Sequence, residues 1–181
     1  HTHPDLGWKV NFTLKSDELL YTLSGLGMHP EANLNKDKYD EVALPRLSKY
    51  VDIEFEHPEY FIPVFTQDIV PIQEEFIWDM KVVGSSAQSP IVISWEKPVN
   101  IPMGKHLVLF DPVQQHILDM MTNDQYIVRG VQSPLQVYYG DAQFIDANLK
   151  PLSNQVGEAY PNPFTDNLFF PIVLLESDQP Y

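Results

Sequence analysis

Apolar residues in this chain recur at every second position, segment after segment. Trp8, Val10, Phe12 and Leu14 fall on one side of an extended chain, with Lys9, Asn11, Thr13 and Lys15 on the other. Val51, Ile53 and Phe55 alternate with Asp52, Glu54 and Glu56. Phe76, Trp78, Met80 and Val82, and later Leu135, Val137 and Tyr139, repeat the pattern. Successive side chains of a strand point to opposite faces, so each segment reads as a strand with one face on a core and one in water. The 16 prolines spread along the sequence would interrupt almost any long helix. Segments 19–23, 91–95, 107–110 and 126–129 read as further short strands. Turn signals separate them: Ser24-Gly25, Gly84-Ser85-Ser86, Pro102-Met103-Gly104, Asp111-Pro112 and Asn123-Asp124. About eight strands with regular turns predict an all-β fold, an antiparallel β-sandwich of jelly-roll or Ig-like type.

Organisation follows from where the alternation stops. Residues 1–6 read as a disordered or cut N-terminal end, and 7–145 as the sandwich domain. Residues 146–158 (DANLKPLSNQVGE) are polar and aperiodic, as in a linker. Alternation resumes at Leu168, Phe170, Ile172 and Leu174, with Pro171 pointing to an edge strand. A single strand cannot fold alone, so 159–181 is expected to be the truncated start of a second small β-sandwich. The chain opens on His1 and stops at Tyr181 after an apolar strand, so both ends read as cuts in a longer polypeptide.

Composition narrows the partners. Hydrophobic residues make up 44% of the chain, enough to bury a core. The net charge of −14 repels nucleic-acid phosphates and anionic lipid, so neither is an expected partner. No apolar run approaches the length of a membrane-spanning helix, and no membrane insertion is expected. Without cysteine there is no disulfide, thiolate metal site or cysteine nucleophile.

Residues 159–164, Ala-Tyr-Pro-Asn-Pro-Phe, resemble the opening of the type IX secretion C-terminal sorting domain and of the related Ig-like domain of flagellar hook-capping proteins. The motif residues are Tyr160, Pro161, Asn162, Pro163 and Phe164, followed by the polar turn Thr165-Asp166-Asn167 and the alternating strand. Two prolines flanking Asn162 fix an extended, then turning, entry to that strand. The family's later strands and its YDxxGR-like turn are missing, so the likeness covers about the last 22 residues. The preceding region resembles a sandwich found just before such sorting domains. The residues are Trp8-Lys9-Val10, Asp37-Lys38-Tyr39-Asp40-Glu41 leading to Leu44-Pro45, Val51 to Phe55, and His57-Pro58-Glu59-Tyr60, with echoes in 91–96 and 106–111. The resemblance implies a secreted or cell-surface protein of Bacteroidota or a related phylum. Its implied partners are the type IX secretion machinery and other domains of the parent protein or a surface assembly. It carries over no catalytic residues.

Candidate chemistry is sparse. Asp52, Glu54 and Glu56 share a strand face, and alternate residues stand roughly 6.6 Å apart, inside the range of an inverting glycosidase pair. A solvated polar face opposite a Val/Ile/Phe stripe explains them more simply. Asn33, Asn35 and Asp37 have calcium-loop spacing, but Lys38 and Leu44 stand where an EF-hand needs Gly and Glu. A loop site built from Asp37, Asp40 and Glu41 is the remaining calcium candidate; no other cofactor is expected. The six histidines lack zinc spacing, and no nucleophile elbow, phosphate loop or dinucleotide fingerprint occurs. Trp8, Trp78 and Trp95 are in phase with the core. Tyr60, Phe61 and Phe65 read as loop aromatics, candidates for a docking patch or a sugar-stacking platform. No catalytic residue is assigned. The expected function is a non-catalytic structural or interaction module, and the alternative is a carbohydrate-binding module of an exported hydrolase.

Overall fold

The computed structural model describes residues 6–17, 19–46, 48–85 and 90–149, with the backbone of two short strands beyond them. Eleven strands form one sheet. They are β1 (Trp8–Ser16), β2 (Leu19–Met28), β3 (Glu41–Val42), β4 (Val51–Glu56), β5 (Val64–Val70), β6 (Phe76–Gly84), β7 (Ile91–Trp95), β8 (His106–Asp111), β9 (His116–Asp119), β10 (Gln125–Val128) and β11 (Ser133–Gly140). The hydrogen-bonded order is β10-β7-β1-β2-β5-β4-β6-β11-β8-β9, with β3 beside β5. The fold is all-β, as the alternation predicts.

Two features depart from an antiparallel sandwich. β2 and β5 run parallel, Gly25 opposite Gln67 through Met28 opposite Val70, so the sheet is mixed. The sheet is also continuous and curls at β4, which changes partner along its length. Val51 to Glu54 pair with β6, whereas Phe55 and Glu56 pair with β5. Both ends of the strand path therefore contribute to one core. Trp8 on β1 meets Trp78 on β6 edge-on at 5.8 Å and Tyr139 on β11 at 5.1 Å. The predicted stripes Val10, Phe12 and Leu14, then Ile53 and Phe55, then Leu135 and Val137, are buried in this core. Trp95 also packs inside, its indole N–H donating to the Met120 carbonyl at 3.1 Å.

β2 does not stop at the predicted Ser24-Gly25 turn; it continues to Met28. The glycines there are in a strand because two neighbours approach closely. A Cβ on Gly27 would collide with the Trp8 carbonyl oxygen and stand 2.9 Å from Lys9 Cα. Glycine here answers a demand for space against the β1 backbone, not for a turn.

The two ends of the strand path meet through side chains. Buried Asp111 accepts hydrogen bonds from the N–H groups of Val113 and Gln114, both at 2.8 Å, and from Gln114 Nε2 at 3.0 Å. It also accepts the Tyr126 hydroxyl at 2.9 Å, which ties the β8–β9 turn to β10. Burial, and then this bond, hold the Tyr126 pKa far above its usual range, so the hydroxyl stays a donor.

The folded unit runs past residue 145, into the stretch read as linker. α1 (Ala142–Asn148) starts at Asp141, whose carboxylate caps the Phe144 N–H at 2.8 Å. Ile145 and Leu149 cover the outer face of the sheet against Val108, Phe110, Ile117 and Tyr138. Further on, β12 (Gln155–Val156) pairs antiparallel with β13 (Ile172–Val173) in a separate two-stranded ladder. The predicted strand at 168–175 thus includes β13, which pairs with a segment of the expected linker rather than with the main sheet.

Gly27→Ala is expected to destabilise the protein by roughly 1–3 kcal/mol, because backbone rather than a movable side chain blocks the new methyl. Gly130→Ala, where a Cβ meets nothing within 4 Å, should stay within about 0.5 kcal/mol of the parent. Urea titrations of the two variants check the difference.

Candidate functional site

The loop joining β4 to β5 is built around the turn His57-Pro58-Glu59-Tyr60. The Tyr60 N–H donates to the His57 carbonyl at 3.1 Å, and the His57 N–H closes the loop on the Pro63 carbonyl at 2.6 Å. Pro58 suits the second position of such a turn because its φ is already fixed. Tyr60 then reaches the neighbouring loop. Its hydroxyl accepts the Lys36 N–H at 2.9 Å and donates to Asn35 Oδ1 at 3.2 Å. Its ring lies nearly parallel to Phe65, centroids 5.8 Å apart.

The three aromatics singled out in the sequence therefore have three different environments. Phe65 is not a loop residue: it lies on β5 and is 1% exposed. Tyr60 is half-buried and braces two loops. Phe61 is 101% exposed, as open as in a free peptide. Ile62 beside it, and Leu34 on the loop that Tyr60 grips, are also exposed. The aromatics do not form a flat sugar-stacking platform; they place one fully exposed ring on a braced loop.

His57 fixes the base of this loop. Its ring lies 4.7 Å from the Phe65 ring. Nδ1 is 3.3 Å from Glu59 Oε1, and Nε2 is 3.5 Å from Asp68 Oδ2. The Asp68 carboxylate, more than Glu59, raises the His57 pKa above its ordinary 6.5 against the opposing effect of burial. Nothing in the sequence marks His57 except its place in the turn, since its partners lie two and eleven residues away on different elements.

The calcium candidates turn inward to the backbone. Asp37 accepts the Asn33 N–H at 2.6 Å and the Tyr39 N–H at 2.7 Å. Asp40 accepts the Asp37 N–H at 2.9 Å and the Ile69 N–H at 3.0 Å, and burial raises its pKa. Glu41 is exposed on β3. Among the described residues no three His, Asp or Glu side chains group in a way that could hold a metal ion. These two aspartates serve as turn-forming acceptors.

The acidic face of β4 is not solvated as expected. Asp52 is 3% exposed and Glu54 8%, and only Glu56 is open, paired with Lys81 at 2.6 Å. At the corner of the curl, β4 between 51 and 54 lies against β2 without a ladder, and side chains fill the gap. Asp52 Oδ1 accepts from Ser24 Oγ at 2.9 Å and Thr66 Oγ1 at 3.0 Å. The Ile53 N–H donates to Ser24 Oγ at 3.3 Å. Arg46 bridges the two acids, 3.0 Å from Asp52 and 2.5 Å from Glu54, and its guanidinium lies over the Tyr50 ring at 4.4 Å. One cation thus faces two carboxylates. The arrangement anchors Arg46 against the seam.

A polar groove of about 420 Å³ crosses the outer face of β10, β7 and β1, lined by Asn11, Thr13, Ser94, Trp95, Glu96, Asp124 and Gln125. Trp95 borders the groove but is 5% exposed, its indole packed in the core like those of Trp8 and Trp78. The sorting-motif residues Tyr160, Pro161, Asn162, Pro163 and Phe164 lie outside the described residues.

Arg46→Met removes the cation that bridges two buried carboxylates. The expected cost is about 3 kcal/mol, because the acids are left desolvated and unpaired. Adding Asp52→Asn and Glu54→Gln to that variant should recover part of the loss. Chemical denaturation of the single and combined variants reads both effects.

No family model matches the chain, and no curated protein or solved structure matches it.

Proposed function

We propose that this chain is a non-catalytic interaction module of an exported bacterial protein, docking a neighbouring protein surface through the tip of the 57–63 loop. The observation that carries the reading is Phe61. A fully exposed aromatic costs solvation free energy, and here it stands on a loop held by the Tyr60 bridge and the His57 contacts. Aromatic residues are the commonest energetic anchors of protein interfaces, and a braced loop loses little entropy on docking. The absence of catalysis is supported by Asp52 and Glu54, whose oxygens are engaged by Arg46, Ser24 and Thr66. Export by type IX secretion rests on Tyr160 to Phe164 and the strand after them. The partner is then another domain of the parent protein or a component of its surface assembly.

The second reading, carbohydrate binding, is favoured by one feature, the polar groove lined by Asn11, Ser94 and Gln125. Hydroxyl and amide groups in a row match a saccharide's hydroxyls, but Trp95, the aromatic among the described lining residues, is too deeply buried to offer the stacking surface that such sites use.

Affinity electrophoresis against a polysaccharide panel, together with photo-crosslinking from position 61 in the exported parent protein, separates the two. Docking predicts no retardation by glycans and a protein adduct from position 61 that is lost in Ile62→Asp. Retardation abolished by Asn11→Ala or Gln125→Ala would replace it with the carbohydrate reading. Glycan hydrolysis that disappears in Glu54→Gln would overturn the non-catalytic reading altogether.

A further inference from the structure

The base of the 57–63 loop holds one titratable cation between two anions. We propose that His57 is a pH-sensitive latch: charged, it grips Asp68 and Glu59 together and stiffens the loop; neutral, it releases one of them and loosens the Phe61–Ile62 tip. The latch regulates the docking element described above and rests on that reading for its biological use. Its physical action does not depend on any partner.

The geometry makes both contacts depend on charge. A neutral imidazole carries one N–H, so it can donate to one carboxylate and must turn a lone pair toward the other. Imidazolium donates from both nitrogens. Glu59 belongs to the same turn as His57, whereas Asp68 belongs to β5, so only the charged ring links the turn to the sheet through both. Nε2 is shut off from solvent and has no full hydrogen bond, so Asp68 at 3.5 Å is its nearest charged contact and water does not replace it. The ring cannot simply swing away, because it packs on Phe65 at 4.7 Å and lies 6.1 Å from Tyr60.

The wider charged surroundings are mixed in sign. On the neighbouring loop Lys36 sits over the Phe65 ring at 5.6 Å. Asp40 adds negative charge beside Asp68. Glu56, next to His57 in sequence, is compensated by Lys81. Asp68 and then Glu59 raise the His57 pKa above 6.5. The sign follows: the latch is fully closed below 6.5, the value in the unfolded chain, and opens as pH rises through the higher folded value.

Hydrogen exchange and ring-proton NMR across about pH 5 to pH 9, on the whole chain, test this without any ligand. The ring of His57 is expected to titrate above 6.5. Protection of the His57 and Tyr60 amides, corrected for intrinsic exchange, should fall about tenfold through the same midpoint, a tenfold change being one pKa unit of differential interaction. Amides of β1 should not change. Asp68→Asn should lower the midpoint and shrink the fall, and His57→Gln should remove it. Titration of His57 at or below 6.5, or titration that leaves loop protection unchanged, overturns the latch. If the latch is present but position 61 gives no protein adduct at any pH, the docking reading fails and the latch stands. If position 61 crosslinks equally at all pH values, docking stands and its regulation by His57 is overturned.

Discussion

A sheet that bends far enough to meet itself must somewhere change hydrogen-bonding partners, and every buried N–H and C=O at that corner still needs one. In this protein the corner is β4. Its second half pairs with β5 and its first half with β6, so the stretch from Val51 to Glu54 turns an unpaired edge toward β2. Ser24 Oγ takes the Ile53 N–H, Asp52 takes Ser24 and Thr66, and Arg46 takes Asp52 and Glu54. A chain of side chains substitutes for a ladder, and a buried acidic pair is the result. The parallel run of β2 beside β5 belongs to the same solution, because it lets β5 fill the space that β2 and β4 leave between them.

Much of this was legible in the sequence, and the failures share a cause. Strands with one face in water, such as β1 and β11, carry the alternation openly, and the residues picked for their inner faces are buried. β5 is buried on both faces from Phe65 to Val70, and its inward polar residues Thr66, Gln67 and Asp68 serve partners on other elements. Alternation vanishes there, and Phe65 reads as part of a loop. Asp52 and Glu54 fail for the same reason: a carboxylate in a strand looks solvated unless one knows that the sheet folds over it. α1 was hidden because its seven residues are too short for a 3.6-residue period to stand out, and only its cap and two buried contacts hold it.

The candidate site was half legible. Tyr60 and Phe61 announce themselves as aromatics beside a proline turn, and the turn is formed as its residues suggest. What the sequence cannot carry is the division of labour among them, with one ring in the floor, one as a brace and one in solvent. His57 acquires its character entirely from residues that the fold brings to it. Loop carboxylates at 37 and 40 illustrate the converse, since spacing that suits a cation also suits capping the loop's own amides, and the amides are always present.

The join between β10 and the β8–β9 turn bears on how such a module behaves in company. The carboxylate of Asp111 gathers Tyr126 and Gln114, and Gln114 also approaches the Ile127 carbonyl at 3.5 Å. β10 is thereby fixed to the β8–β9 turn, although β9 and β10 form no ladder with each other. An open edge is an invitation to any neighbour with a strand to spare. Here three side chains, Asp111, Gln114 and Tyr126, hold one end of β10 against the neighbouring turn, so a strand approaching that edge would meet a corner already occupied by side chains rather than a run of bare backbone.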